Sequence, residues 1–243
     1  MLAQVAQGQR CRGSRKHRRV VRPPPRTRAR REGVSLSEEQ PITCPGCNAT
    51  SMAQIHRSVN VTTEPALKEQ LLSGRLFGFA CPSCGRVSRV VHPELVYHDV
   101  PRGLLIQMDA LGKFDAASLR QLESSLPPST RVVHDSNAML EKVKIFDAEL
   151  DDRVVEVLKL VVGSQKAEDT ATRYLFEGTG TPNNPEGRDL RFTLLSSKGV
   201  SGLAVPCAAY EDVRAKLESA GKLGPLPAWA VVDAEYARLL LAT

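Results

Sequence analysis

The sequence predicts an α+β protein, and three observations carry that reading. Two Cys-Pro-x-Cys pairs, Cys44 to Cys47 and Cys81 to Cys84, stand thirty-three residues apart. Short runs rich in β-branched residues flank both pairs, and a single helix start lies between them. Beyond them an apolar stripe runs from Leu140 to Val161 at helical spacing. Together these describe a metal-clamped β module with a short inserted helix over 34–112, followed by a helical and mixed C-terminal region over 113–243.

The elements follow in order. Residues 1–33 have no hydrophobic period and hold ten Arg, one Lys and one Glu, a net of +10. Such a segment repels itself and has little to bury. Three readings stay open: a disordered Arg/Pro-rich tail, a basic arm for phosphate or anionic lipid, and a start-site artefact with translation beginning near Val34. The chain's overall charge of +6 therefore leaves the remainder at −4, so an argument for nucleic acid from net charge rests on the tail alone.

Within the module, Ala53 to Val61 reads as a strand through Ile55, Val59 and Val61. Thr63-Glu64-Pro65 predicts a helix start with Thr63 as cap, Leu67, Leu71 and Leu72 as its stripe, and Gly74 as its stop. Leu76 to Ala80 and Val87 to Val91 read as strands entering and leaving the second pair, and Leu104 to Met108 as a further strand. Residues 115–161 read as helical. Leu119, Leu122 and Leu126 precede the Pro127-Pro128 break, and the long stripe has a break of its own near Phe146-Asp147. Residues 164–176 read as weak helix or irregular, and 177–189 as a loop. Phe192 to Leu195 and Leu203 to Val205 read as a strand pair about Lys198-Gly199. Tyr210 to Ser219 and Tyr236 to Leu241 read as closing helices.

The cysteine pairs carry the chemistry. A Cys-x-x-Cys turn curls two sulfurs toward one point, and two such turns present four. Gly85 suits the left-handed residue after the second pair, and Asn48 substitutes after the first. Cys44, Cys47, Cys81 and Cys84 are the expected ligands of one Zn²⁺. Four soft thiolates fill every position, which favours a structural ion whose binding free energy, about 10–16 kcal/mol, is largely folding free energy. Cys11 and Cys207 have no companion at ligand spacing. No apolar leader opens the chain, and the cysteine usage fits the reducing cytoplasm.

Other clusters are weaker. His56, His92 and His98 are near the pairs but lack a ligand spacing, and ordinary structural or surface roles outweigh a second metal. Tyr97-His98-Asp99 is a possible functional cluster, with Asp99 orienting His98 and Tyr97 donating a hydrogen bond. His134-Asp135-Ser136 has the residue types of a triad without its geometry, and no nucleophile elbow is present. Asp147, Asp151 and Asp152 read as a solvated helix face before a Mg²⁺ site, and Gly178-x-Gly180 as a turn. Arg86 and Arg89 flank the second pair, but nearby acids balance them and aromatic residues are only 5% of the chain, which weakens a nucleic-acid reading.

From Ile42 to Asp109 the chain resembles the bacterial and archaeal CpXC domain family. The resemblance rests on both cysteine pairs, Glu64-Pro65-Ala66-Leu67-Lys68, Leu72-Ser73-Gly74-Arg75-Leu76-Phe77 and Leu95-Val96-Tyr97-His98-Asp99. The segment Lys144 to Asp152 is similar to the part that often follows in such proteins. The resemblance implies cysteine metal binding and carries no established activity. The expected role is a non-catalytic zinc-binding adaptor with a protein partner. The alternatives are an enzyme centred on His98 and Asp99 and a nucleic-acid-binding ribbon.

Overall fold

A computed structural model describes residues 33–115, 126–127, 129–166, 172–180 and 187–242. The architecture is α+β, with mixed and antiparallel sheets beside helices. Among the described residues, 33–140 together with Pro225–Val232 form one compact unit, and Glu141–Gly224 with the segment from Asp233 onward form a second. The boundary falls inside a helix.

The first unit begins with β1 (Ser37–Thr43) and β2 (Thr50–His56), an antiparallel pair in register from Ser37 opposite His56 to Thr43 opposite Thr50. After a bend at Arg57, β3 (Ser58–Asn60) joins a different sheet, so the single strand expected over 53–61 is two. Helix α1 (Ala66–Leu72) follows, and its N-cap is Pro65 with no side-chain capping bond. Thr63 is not the cap: its hydroxyl donates to the Asn60 carbonyl instead (3.3 Å). Gly74 takes φ +75 and stops the helix as expected. A 3₁₀ turn (Arg75–Phe77) replaces the start of the next expected strand, leaving β4 (Gly78–Ala80) paired antiparallel with β5 (Val87–Arg89).

The unit's larger sheet has the order β3-β6-β7-β8, with β6 (Val96–Asp99), β7 (Leu104–Met108) and β8 (Ser129–Val133). β3 and β6 are parallel, β6 and β7 antiparallel, β7 and β8 parallel. Val59, Tyr97, Leu104, Ile106 and Met108 are completely or almost completely buried. Strand β8 lies where a helical reading was expected. Thr130, Val132 and Val133 are β-branched, and all five residues of β8 pair with β7. A returning segment joins this edge, where Ala230 bridges Arg131 and the Trp229 N–H donates to Thr130 Oγ1 (2.7 Å).

Helix α2 (Ser136–Asp147) crosses the unit boundary, and α3 (Asp152–Lys166) follows. The expected break is real: Glu149 takes φ +58 and the Leu150 N–H closes onto the Ile145 carbonyl. Asp151 Oδ1 then accepts the Arg153 N–H and caps α3. The second unit's sheet has the order β11-β10-β9, all antiparallel. Residues 164–166 continue α3, in line with the helical reading of 164–176, but β9 (Arg173–Thr179) overturns that reading over 173–176 and takes the first residues of the expected loop. Its aromatic Phe176 pairs with Phe192 of β10 (Leu190–Ser196) with ring centroids 5.7 Å apart, a tertiary contact that outweighs local preference. β11 (Gly199–Val205) completes the expected hairpin, and α4 (Cys207–Ser219) and α5 (Ala234–Ala242) close the unit. Leu150, Val154, Val157, Leu158, Phe176 and Leu194 are part of one core. The helix expected over Leu119 and Leu122 lies outside the described residues. Among the described residues no helix is long and apolar enough to cross a membrane.

Candidate metal centre

Each cysteine pair sits at the tip of a hairpin. The first follows the Thr43–Thr50 closing pair of β1 and β2, the second the Ala80–Val87 closing pair of β4 and β5. The two tips repeat the same backbone bonds. Asn48 N–H donates to Cys44 O (2.9 Å) and Cys44 N–H to Ala49 O (2.9 Å). Gly85 N–H donates to Cys81 O (2.8 Å) and Cys81 N–H to Arg86 O (2.9 Å). Closing such a turn requires a left-handed residue, and Asn48 (φ 58) and Gly85 (φ 71) supply it.

These turns bring the four sulfurs to within 4.8 Å of one another. Across the pairs, Cys44 Sγ lies 3.7 Å from Cys84 Sγ, and Cys47 Sγ 3.7 Å from Cys81 Sγ. Cys44 and Cys81 are buried, Cys47 and Cys84 exposed, so each turn gives one inner and one outer sulfur. The Arg86 side chain lies over Gly46 of the other turn, where any side chain would meet its Cδ at 2.7 Å.

The local field is uneven. The Gly46 and Cys47 amides hold the Cys44 thiol below its ordinary pKa. The Cys84 and Ser83 amides bring Cys81 down to about 6. The Ala49 amide pulls Cys47 down as well, but the other three sulfurs and burial outweigh it and push that thiol up to about 12. Backbone dipoles thus favour charge on the inner sulfurs, while a fully ionised set needs a cation at its centre.

The histidines do not join this site. His92 is buried, accepts the Glu94 N–H at Nδ1 (3.1 Å) and places Nε2 3.6 Å from Glu38 Oε1. Burial lowers the pKa of His56, and its buried Nδ1 has no partner among the described residues. Strand alternation puts His98 on the opposite face of β6 from Tyr97 and Asp99, which are both buried. Asp99 Oδ2 instead receives Tyr97 Oη (3.3 Å) and Lys68 Nζ (3.4 Å) and lies 3.9 Å from Arg102 Nη1. In 134–136 the three side chains have separate partners: His134 Nδ1 is 3.3 Å from Asp109 O, Asp135 Oδ1 accepts the Ala138 N–H at the start of α2, and Ser136 Oγ accepts from Arg89 (2.8 Å). Arg89 also stacks over Phe77 at 4.9 Å.

The acidic cluster is not a uniformly solvated face. Asp151 pairs with Arg153 (2.6 Å), but Asp152 is only 1% exposed and lies 3.2 Å from the buried Lys142 Nζ. Lys142 also reaches Glu156 Oε1 (3.3 Å), and Lys159 joins Glu156 (2.9 Å) to Glu141 (2.7 Å). Glu141 Oε1 accepts the Phe176 N–H (2.6 Å) and so ties α2 to β9. This network is not among the sequence expectations. Its signal was the position of Lys142 three residues from both Met139 and Ile145, on a face that is otherwise apolar.

Two hairpin tips that converge four cysteine sulfurs define a four-cysteine module shaped to take a metal ion. Residues 42–159 match the family model described as CpXC protein, and this stretch of the chain belongs to that family. No curated protein and no solved structure matches the chain.

Proposed function

We propose that the cysteine unit is a structural zinc module of zinc-ribbon-like build, and that the protein works as a non-catalytic adaptor for a protein partner in a reducing, cytoplasmic setting. The observation that carries the zinc reading is the sulfur spacing. A tetrahedral ion with Zn–S bonds of about 2.3 Å needs sulfurs about 3.8 Å apart. Two of the four cross-pair distances are 3.7 Å, and all four sulfurs lie within 4.8 Å of one another. Cys44, Cys47, Cys81 and Cys84 would hold the ion, which would join hairpin β1–β2 to hairpin β4–β5. With four thiolates the coordination shell leaves no position for substrate, which favours scaffolding over catalysis.

Two residue-level facts support the non-catalytic reading over an enzyme at His98 and Asp99. Those side chains diverge from one strand, and the Asp99 carboxylate is engaged by Tyr97 and Lys68. The test is metal analysis of the full chain purified without added metal, beside Cys47→Ser and Cys84→Ser. The wild type should carry one zinc per chain and each variant well under half of that. Full zinc occupancy in both variants would defeat the proposal.

A further inference from the structure

The three-stranded sheet of the second unit has two edges of different character. β9, on one side, carries Arg173 and Glu177, and its pairing with β10 is interrupted by a register shift at Arg191/Phe192. Charges and bulges of this kind keep an edge from pairing with another chain. β11, on the other side, reads Gly-Val-Ser-Gly-Leu-Ala-Val, with no charge and no proline. It pairs with β10 over all seven residues without a shift. In an antiparallel pair alternate residues aim their N–H and C=O away from the partner strand. None of those outward groups on β11 has a backbone partner among the described residues.

Side-chain alternation sharpens the contrast. Leu203 and Val205 turn toward the core, while Val200, Gly202 and Ala204 occupy the other face and are all exposed, Val200 to 75%. Around Gly202 there is open space. We infer that β11 is a self-association edge, pairing antiparallel with β11 of a second copy of this chain about a two-fold axis at Gly202. That axis sets Val200 of each copy across from Ala204 of the other, and glycine across from glycine at the centre. Self-pairing of a charged strand would set like charges together, a destabilising arrangement; this strand has none to oppose. The result is a six-stranded sheet running β9-β10-β11 and back through the partner. Seven residues a side is a small contact compared with the 20–30 of a standard interface, so the dimer is concentration-dependent. The inference does not rest on the metal site.

Sedimentation equilibrium of the full chain from micromolar to millimolar concentration tests it. The wild type should shift reversibly from monomer to dimer. Gly202→Lys and Gly202→Glu, each placed in open space and cheap for the monomer, set like charges across the axis and should each raise the dimer dissociation constant at least tenfold. Mixing the two variants in equal amounts should restore association, an outcome that misfolded variants would not give. A wild type that stays monomeric throughout, variants that associate as the wild type does, or a mixture that stays monomeric would each overturn the inference.

Discussion

Lys142 is 3% exposed and lies between Asp152 and Glu156. Burial alone would lower its pKa, yet those two carboxylates, with Glu141, raise it above the ordinary lysine value. Lys142→Met should therefore destabilise the chain by about 3–5 kcal/mol, because it strands buried carboxylates without their partner. Urea unfolding measures this, and a loss below about 1 kcal/mol would show the network to be solvated in solution. Glu141 gives a pH signature. Burial holds its carboxyl above the ordinary range, although Lys159 and Lys142 pull it down and Glu156 adds to the rise. The folded chain then holds that proton more tightly than the unfolded chain. The stability it contributes is complete below the unfolded pKa of about 4.3 and is lost as pH rises through the folded value. Glu141→Gln removes that loss. Its stability relative to wild type should rise with pH above about 4.3, read as urea midpoints at stepped pH; a difference independent of pH would contradict the assignment. None of this network is legible in composition, since the buried Asp152 and its half-buried neighbours Asp147 and Asp151 look alike as letters.

The two cysteine turns are the elements the sequence expresses most fully. Their spacing, their proline and the left-handed residue after each are local properties, so Asn48 and Gly85 can be read directly from the chain. Gly85→Val should cost the module about 1–2 kcal/mol or more, since a side chain there meets no neighbour and only the backbone conformation resists it. Asn48→Gly should leave stability unchanged or improved, and thermal unfolding of the zinc-loaded chain separates the two. Equal effects would mean the turns do not share one geometry. Elements whose pairing is distant were harder to read. β8 and β9 look helical or irregular in isolation and become strands because β7 and β10 offer them ladders. Tyr97, His98 and Asp99 are neighbours in the sequence, but the period of two along β6 separates the middle one from the others.

At the level of the molecule, all four cysteines fall in one of the two compact units, so a metal held by them would support that unit alone. The second unit has its own core, built on Leu158, Phe176, Phe192 and Leu194. Chelation should therefore release the amides of Val59, Tyr97 and Ile106 to hydrogen exchange while those of Phe176, Phe192 and Leu194 stay protected. Uniform loss of protection would contradict the independence of the second core. The return of Pro225–Val232 to the first unit has no sequence signature beyond a short Val-Val run, because it depends on an edge that β8 provides from a hundred residues earlier.

The most direct test of the zinc assignment is X-ray absorption at the zinc edge, with metal quantitation on the same sample of full chain. The expected spectrum has four sulfur scatterers at about 2.3 Å and one zinc per chain. A folded first unit that holds no metal, or zinc bound through nitrogen or oxygen in place of the four cysteines, would contradict the assignment.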